Sequence, residues 1–145
     1  MGFREFDRTD IETTLAAERV IRIAFHAGDE HYLVPVFYVW HEGALCGLTT
    51  PGRKTRLAMV NPAVAFQVDS TATTGPYAWS SVSGSGTWQV VENPAEFGPF
   101  ARALGAKLTD APTWAQSMLN QRFATLGMVA WRIRPETMSG RAHEE

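Results

Sequence analysis

The chain predicts a mainly β fold, an antiparallel barrel with helical insertions. Three observations carry this. Six segments are rich in β-branched and aromatic residues or alternate apolar with polar. Most are joined by short glycine- or asparagine-bearing turns. Helical patterns follow only some of them, whereas a doubly wound parallel sheet needs a helix after nearly every strand.

In chain order, Asp10 reads as an N-cap, with Ile11, Leu15 and Glu18 at helical spacing behind it, so a short helix is expected over 10–18. Val20–Phe25 reads as the first strand and Gly28-Asp29-Glu30 as a hairpin turn. Residues 31–40 (HYLVPVFYVW) are the most strand-like segment, and His41-Glu42-Gly43 turns the chain into a third strand over 44–50. One or two helical turns follow Gly52 and stop at Asn61-Pro62. Residues 63–69 alternate as a fourth strand, and Ser70–Gly75 is a polar loop. A long strand over 77–92 is expected to bulge at Gly84-Ser85-Gly86. Pro94 suits the first position of a helix, and Phe97, Phe100, Ala101 and Leu104 share one face of it. A further helix is expected over 113–125, a last strand over 127–134 and a solvated tail from about 139. Residues 1–145 are expected to form one domain, with no internal repeat.

Composition removes several function classes. The net charge of −2 offers no global field for nucleic acid or anionic membranes. One cysteine, Cys46, excludes an internal disulfide and a cysteine metal cluster. No apolar run approaches the roughly 20 residues that span a bilayer. The N-terminus, MGFREFDRTD, lacks the apolar core of a secretory signal, so a cytoplasmic protein is expected. GxSxG and GxGxxG spacings are absent, the four histidines are scattered, and no carboxylate pair has convincing spacing. His26 and His31 flank one hairpin, but two imidazoles without a third ligand make a poor zinc site.

Three segments could carry chemistry. Pro35 interrupts an apolar strand and cannot donate to a central ladder, so the sheet is an edge there, meets a second subunit, or has a ligand against it. Thr49-Thr50-Pro51-Gly52-Arg53-Lys54 ends a strand on two hydroxyls and opens a helix on two cations. Cations at that end oppose the helix dipole unless an anion sits among them, so the turn is either a solvated basic patch or a phosphate site. Trp79-Ser80-Ser81 opens the long strand, either as core or as the cover of a ligand ring. An anion site beside an apolar strand suits a phosphorylated aromatic cofactor that brings its own chemistry.

The ordered set Val34-Pro35-Val36-Phe37, Thr49-Thr50-Pro51-Gly52-Arg53-Lys54, Asn61-Pro62-Ala63-Val64, Trp79–Gly84 and Trp131–Pro135 resembles the pyridoxamine 5′-phosphate oxidase-like family of FMN-binding split barrels. The closing segment Ile133–Arg141 looks closest to its nitroimidazole-resistance and flavin-nucleotide-binding branch. That resemblance implies a six-stranded split barrel, a homodimer with cofactor at the subunit interface, and an FMN-dependent oxidoreductase. Hydride would pass between flavin and NAD(P)H or a small oxidised substrate. It also implies that Arg53 and Lys54 hold the FMN phosphate and that Val34, Pro35, Val36 and Phe37 run along the isoalloxazine. Thr49 and Thr50 would line the ribityl chain or ring, and Trp79 and Ser81 would come from the adjacent strand or the other subunit. The substrate pocket would lie at the dimer interface, lined by the loop Ser70–Tyr77 and the helices over 94–126. The deazaflavin F420 and haem are the alternative cofactors, and a non-catalytic carrier is the alternative function. Leu48 stands where the nitroimidazole branch often has histidine, and the arginine-rich closing segment of the true oxidases is missing. Neither nitroimidazole reduction nor vitamin B6 oxidation is therefore expected.

Overall fold

The computed structural model describes residues 2–144. Its elements are β1 (Gly2–Glu5), α1 (Arg8–Ala17), β2 (Val20–Ala27), β3 (Glu30–Phe37), β4 (Val39–His41), β5 (Ala44–Thr49), α2 (Arg53–Val60), β6 (Ala63–Asp69), α3 (Thr71–Thr74), β7 (Trp79–Val90), α4 (Pro94–Lys107), α5 (Thr113–Leu126) and β8 (Val129–Glu144). The strands form one antiparallel sheet in the order β3-β2-β6-β7-β8-β5-β4, with β1 added along the far end of β8. The sheet curls, so that β3 at one edge returns toward β5 near the other. This is the mainly β split-barrel architecture that the sequence predicts, with eight strands among the described residues instead of six.

The additional strands have local causes. The segment 31–40 divides at Tyr38, which turns inward, is fully buried, and donates its hydroxyl to the Leu15 carbonyl at 2.6 Å. That bond docks α1 onto the barrel. The expected tail from 139 is instead the second half of β8, which pairs with β7 and β1 together. Helix α1 starts earlier than expected because Asp7, not Asp10, is its N-cap. The Asp7 side chain accepts from the Asp10 N–H and the Asp10 side chain from the Asp7 N–H, a reciprocal capping box. The expected bulge is present, as a register shift between Ser85 and Gly86 in the β7–β8 pairing.

Glycines close both hairpins: Gly28 turns β2 into β3 at φ 58°, and Gly43 turns β4 into β5 at φ 74°. Because Gly28 and Asp29 form a two-residue turn, Ala27 and Glu30 close it as a hydrogen-bonded pair. By alternation, Ile23–Val34 and Ile21–Val36 are also hydrogen-bonded, while Arg22–Pro35 is not. Pro35 therefore turns its missing N–H to the open edge, where no ladder bond is lost.

The main core gathers α1, α2 and the inner faces of the strands around Trp131, Phe25, Ile21, Ile23 and Ile133. Trp131 and Trp88 stack with ring centroids 4.9 Å apart, and Phe25 meets Trp88 edge-on at 5.2 Å. A smaller cluster of Val39, Cys46, Val91, Phe100 and Leu104 seats α4 on the other side of the sheet. Among the described residues, no helix is long and apolar enough to cross a membrane.

Gly47 on β5 marks where the barrel pinches shut. A Cβ there would lie 2.5 Å from the Trp131 ring and 2.8 Å from the Phe37 carbonyl oxygen. Gly47→Ala should cost about 1–3 kcal/mol through overpacking, read as a lower urea midpoint at unchanged m-value. An unaltered midpoint would show that β3 and β5 do not approach as described.

Candidate functional site

The split between β3 and β5 is the candidate site. Pro35, Val36 and Phe37 form one wall, and Leu48, Thr49 and Thr50 at the end of β5 form the opposite one. Helix α2 begins three residues after Thr50 and contributes Lys54. Helix α5 lies across the opening and contributes Leu119, Arg122 and Phe123. These residues enclose a cavity of about 240 Å³. Phe37, Leu48, Leu119 and Phe123 also wall a second lobe of about 460 Å³, lined further by Leu104 of α4 and by Leu108 just after it. The cleft thus has a cationic, hydroxyl-bearing lobe and a larger apolar one. A third hollow, on the other side of Phe37, is walled by Arg22, Asp69 and the α3 residues Thr71–Thr73.

The electrostatics of the small lobe are one-sided. Lys54 is partly buried, and its ammonium is pushed below the ordinary lysine value first by burial and then by the Arg122 guanidinium. No carboxylate offsets these effects among the described residues. Glu30, the acid at the neighbouring hairpin, is engaged elsewhere. Its carboxylate accepts from Arg53 Nε at 2.9 Å and Arg56 Nη2 at 3.0 Å, which lowers its own pKa. Thr49 and Thr50 are each only 7% exposed. At the start of α2 the Gly52 N–H donates to Thr55 Oγ1 at 2.9 Å, which fixes the turn that presents Lys54. Two uncompensated cations beside buried hydroxyls make a site for an anion.

Of the ten residues expected from sequence, the structure brings Pro35, Val36, Phe37, Thr49, Thr50 and Lys54 together. Val34 faces the core, one step out of phase with Pro35. Arg53 does not join Lys54. Adjacent helical residues point about 100° apart, and Arg53 lies over the Tyr32 ring at 4.4 Å while pairing with Glu30. Trp79 and Ser81 sit elsewhere in the chain's own fold. Trp79 stacks on His143 at 5.6 Å and meets Phe3 at 6.1 Å. Ser81 accepts from Gln67 Nε2 at 3.2 Å and lines a separate serine-rich hollow with Arg141. The expected pocket helices do contribute, and the loop 70–77 reaches only the third hollow.

Arg122 is the functional candidate that sequence reading misses. Its signal was present: it is the only charged residue in the fourteen of α5, set between Leu119 and Phe123 on one helical face.

Residues 7–142 match the family model described as pyridoxamine 5′-phosphate oxidase. Among solved structures, the chain is similar to a FAD-binding protein from Mesorhizobium loti, with a TM-score of 0.79, 24% identity and coverage of 99% of this chain and 98% of that one. A proposed 5-nitroimidazole antibiotic resistance protein of Bacteroides thetaiotaomicron superposes with a TM-score of 0.70 at 14% identity, covering 98% and 89%. A haem storage protein of Vibrio cholerae gives 0.69 at 14% identity, covering 90% and 92%. No curated protein matches the chain by sequence. The family model spans strands β2 to β7, most of β8, the cleft and helices α1 to α5, and the chain belongs to the pyridoxamine 5′-phosphate oxidase family.

Proposed function

We propose that the cleft holds FMN by its phosphate and that the protein is a cytoplasmic, homodimeric, flavin-dependent oxidoreductase. The observation that carries this is the pairing of Lys54 with Arg122, without an acid, beside Thr49 and Thr50. A doubly charged phosphate ester is the group such a lobe is short of. The apolar lobe between Phe37, Leu48 and the α4–α5 helices suits flat rings. The flavin-binding and haem-binding descriptions of similar folds support a planar, anionic ligand. When bound, the flavin supplies hydride transfer between NAD(P)H and a small oxidised substrate. The chain's residues bind and orient it: the cations hold the tail, the open edge of β3 offers the Phe37 backbone, and the helices exclude water.

A second copy would complete the site. Helix α5 has no buried residue, while Trp114, Met118 and Leu126 on it are 68%, 54% and 50% exposed. Such a surface is suited to burial against another subunit.

The absorption spectrum of the purified protein tests the reading. Two visible flavin bands that bleach with NADH or NADPH and recover on adding an acceptor support an oxidoreductase. Flavin bands that never bleach indicate a carrier, and a Soret band indicates haem. A colourless protein that takes up no FMN overturns the proposal.

A pH dependence follows from Lys54. Its pKa is depressed in the free protein, and a bound dianion favours the charged form, so binding takes up protons. Affinity is therefore full below the depressed value and falls as pH rises through it, before an ordinary lysine at 10.5 would titrate. Fluorescence titrations across alkaline pH should show this decline, and a Lys54→Arg variant should lack it.

A further inference from the structure

Away from the cleft, between the sheet and the N-terminal half of α4, lies a separate cavity of about 390 Å³. We propose that it is a second oxyanion site, taking the carboxylate or phosphate group of a small molecule.

Its floor is β8, where Arg132 and Arg134 point to the same side of the strand. Both donate to one neutral acceptor, Gln89 Oε1: Arg132 through Nε at 3.1 Å and Nη2 at 3.0 Å, Arg134 through Nη1 at 3.3 Å. Three N–H groups on one amide oxygen leave the remaining guanidinium donors free for a ligand. The Arg132 side chain is only 16% exposed, so its charge is poorly screened by water. The carboxylate set against it, Glu96, stands 3.9 Å from Nη2, beyond hydrogen-bond distance, and is 55% exposed. Glu42, the other acid at the rim, is 86% exposed. Neither matches a guanidinium bidentately.

One further feature adds to the positive field. Ala95 and Glu96 belong to the first turn of the fourteen-residue α4, so the positive end of its dipole faces this cavity. His41 closes one side, packed edge-on against Phe100. Cys46 on the wall adds no opposing charge at neutral pH, because burial pushes its thiol up to about 12. Planar guanidiniums side by side match the paired oxygens of a carboxylate or phosphate.

The same helix walls both sites. Glu96, Pro99 and Phe100 face this cavity, and Leu104 and Leu108 at or just beyond its C-terminal end face the cleft.

Calorimetric titration of the full chain with inorganic phosphate, and separately with succinate, tests the assignment. The Lys54→Gln/Arg122→Gln variant serves as background, so that the cleft does not contribute. Saturable binding of either probe should persist in that background. Adding Arg134→Gln, at an exposed side chain the fold tolerates, should weaken it tenfold or more, and Glu96→Gln should tighten it at least twofold. Phosphate alone or succinate alone would identify the ligand class within the proposal. No saturable binding of either probe in the background variant, or binding indifferent to Arg134→Gln, overturns it. Because the background lacks the cleft cations, the result does not depend on whether flavin binds.

Discussion

Replacing Lys54 and Arg122 together by glutamine is expected to lower FMN affinity by about 100-fold or more. Each charge-assisted contact to a phosphate is worth about 1.5–3 kcal/mol, and about 1.4 kcal/mol is a decade in Kd. The double variant removes both cations of the small lobe while keeping polar, hydrogen-bonding side chains. Lys54→Gln alone should cost about tenfold. Arg53→Gln should change affinity by less than about twofold, because its guanidinium is held by Glu30 and Tyr32 outside the cavity. Flavin fluorescence quenching reads all three. If Arg53→Gln proved as damaging as Lys54→Gln, the grip would be the one expected from sequence, and Arg53 would leave Glu30 on binding. If Arg122 were dispensable, α5 would be only a lid.

Trp131→Ala is the substitution with the largest expected effect on stability. The ring is fully buried, stacks on Trp88 and backs Gly47 where the barrel closes. Truncation of a buried tryptophan costs about 3–5 kcal/mol, set against a total of about 5–15 kcal/mol for a domain. At about 2–4 °C per kcal/mol, the melting temperature should fall by roughly 6–20 °C. The indole N–H groups of Trp131 and Trp88 are buried without partners among the described residues. Trp131→Phe should therefore recover part of the loss, since it removes an unpaired donor while keeping a ring. Calorimetry on both variants checks this. A loss below about 1 kcal/mol for Trp131→Ala would show that the stacked pair does not organise the core.

The fold was legible wherever the chain makes a local demand. Pro35 at an outward-facing position, Gly28 and Gly43 in two-residue turns, and the bulge at Gly84–Gly86 each declare themselves through backbone chemistry. The second half of β8 did not. Its buried positions there are Gly140 and Ala142, alternating with exposed Ser139 and Arg141. A strand that turns small residues inward carries no hydrophobic alternation to detect, and only its neighbours show why small residues are needed. A Cβ on Gly140 would lie 2.7 Å from the Phe6 ring.

The site divides the same way. Thr49, Thr50 and Lys54 lie within six residues around one turn, so their convergence is a local property. Arg122 arrives from α5, more than sixty residues later, and no local rule links it to that turn. The pairing of Arg53 with Glu30 depends on β3 folding back beside α2, a tertiary fact that redirects one of two adjacent cations.

In the proposed reading a phosphate, held by Lys54 and Arg122, anchors the ligand. Parallel titrations with FMN and riboflavin test it most directly, because the two differ only in that group. FMN should bind at least about 100-fold more tightly at neutral pH, with the advantage abolished in the Lys54→Gln/Arg122→Gln variant. Equal affinities for the two flavins, or no binding of FMN, would contradict it.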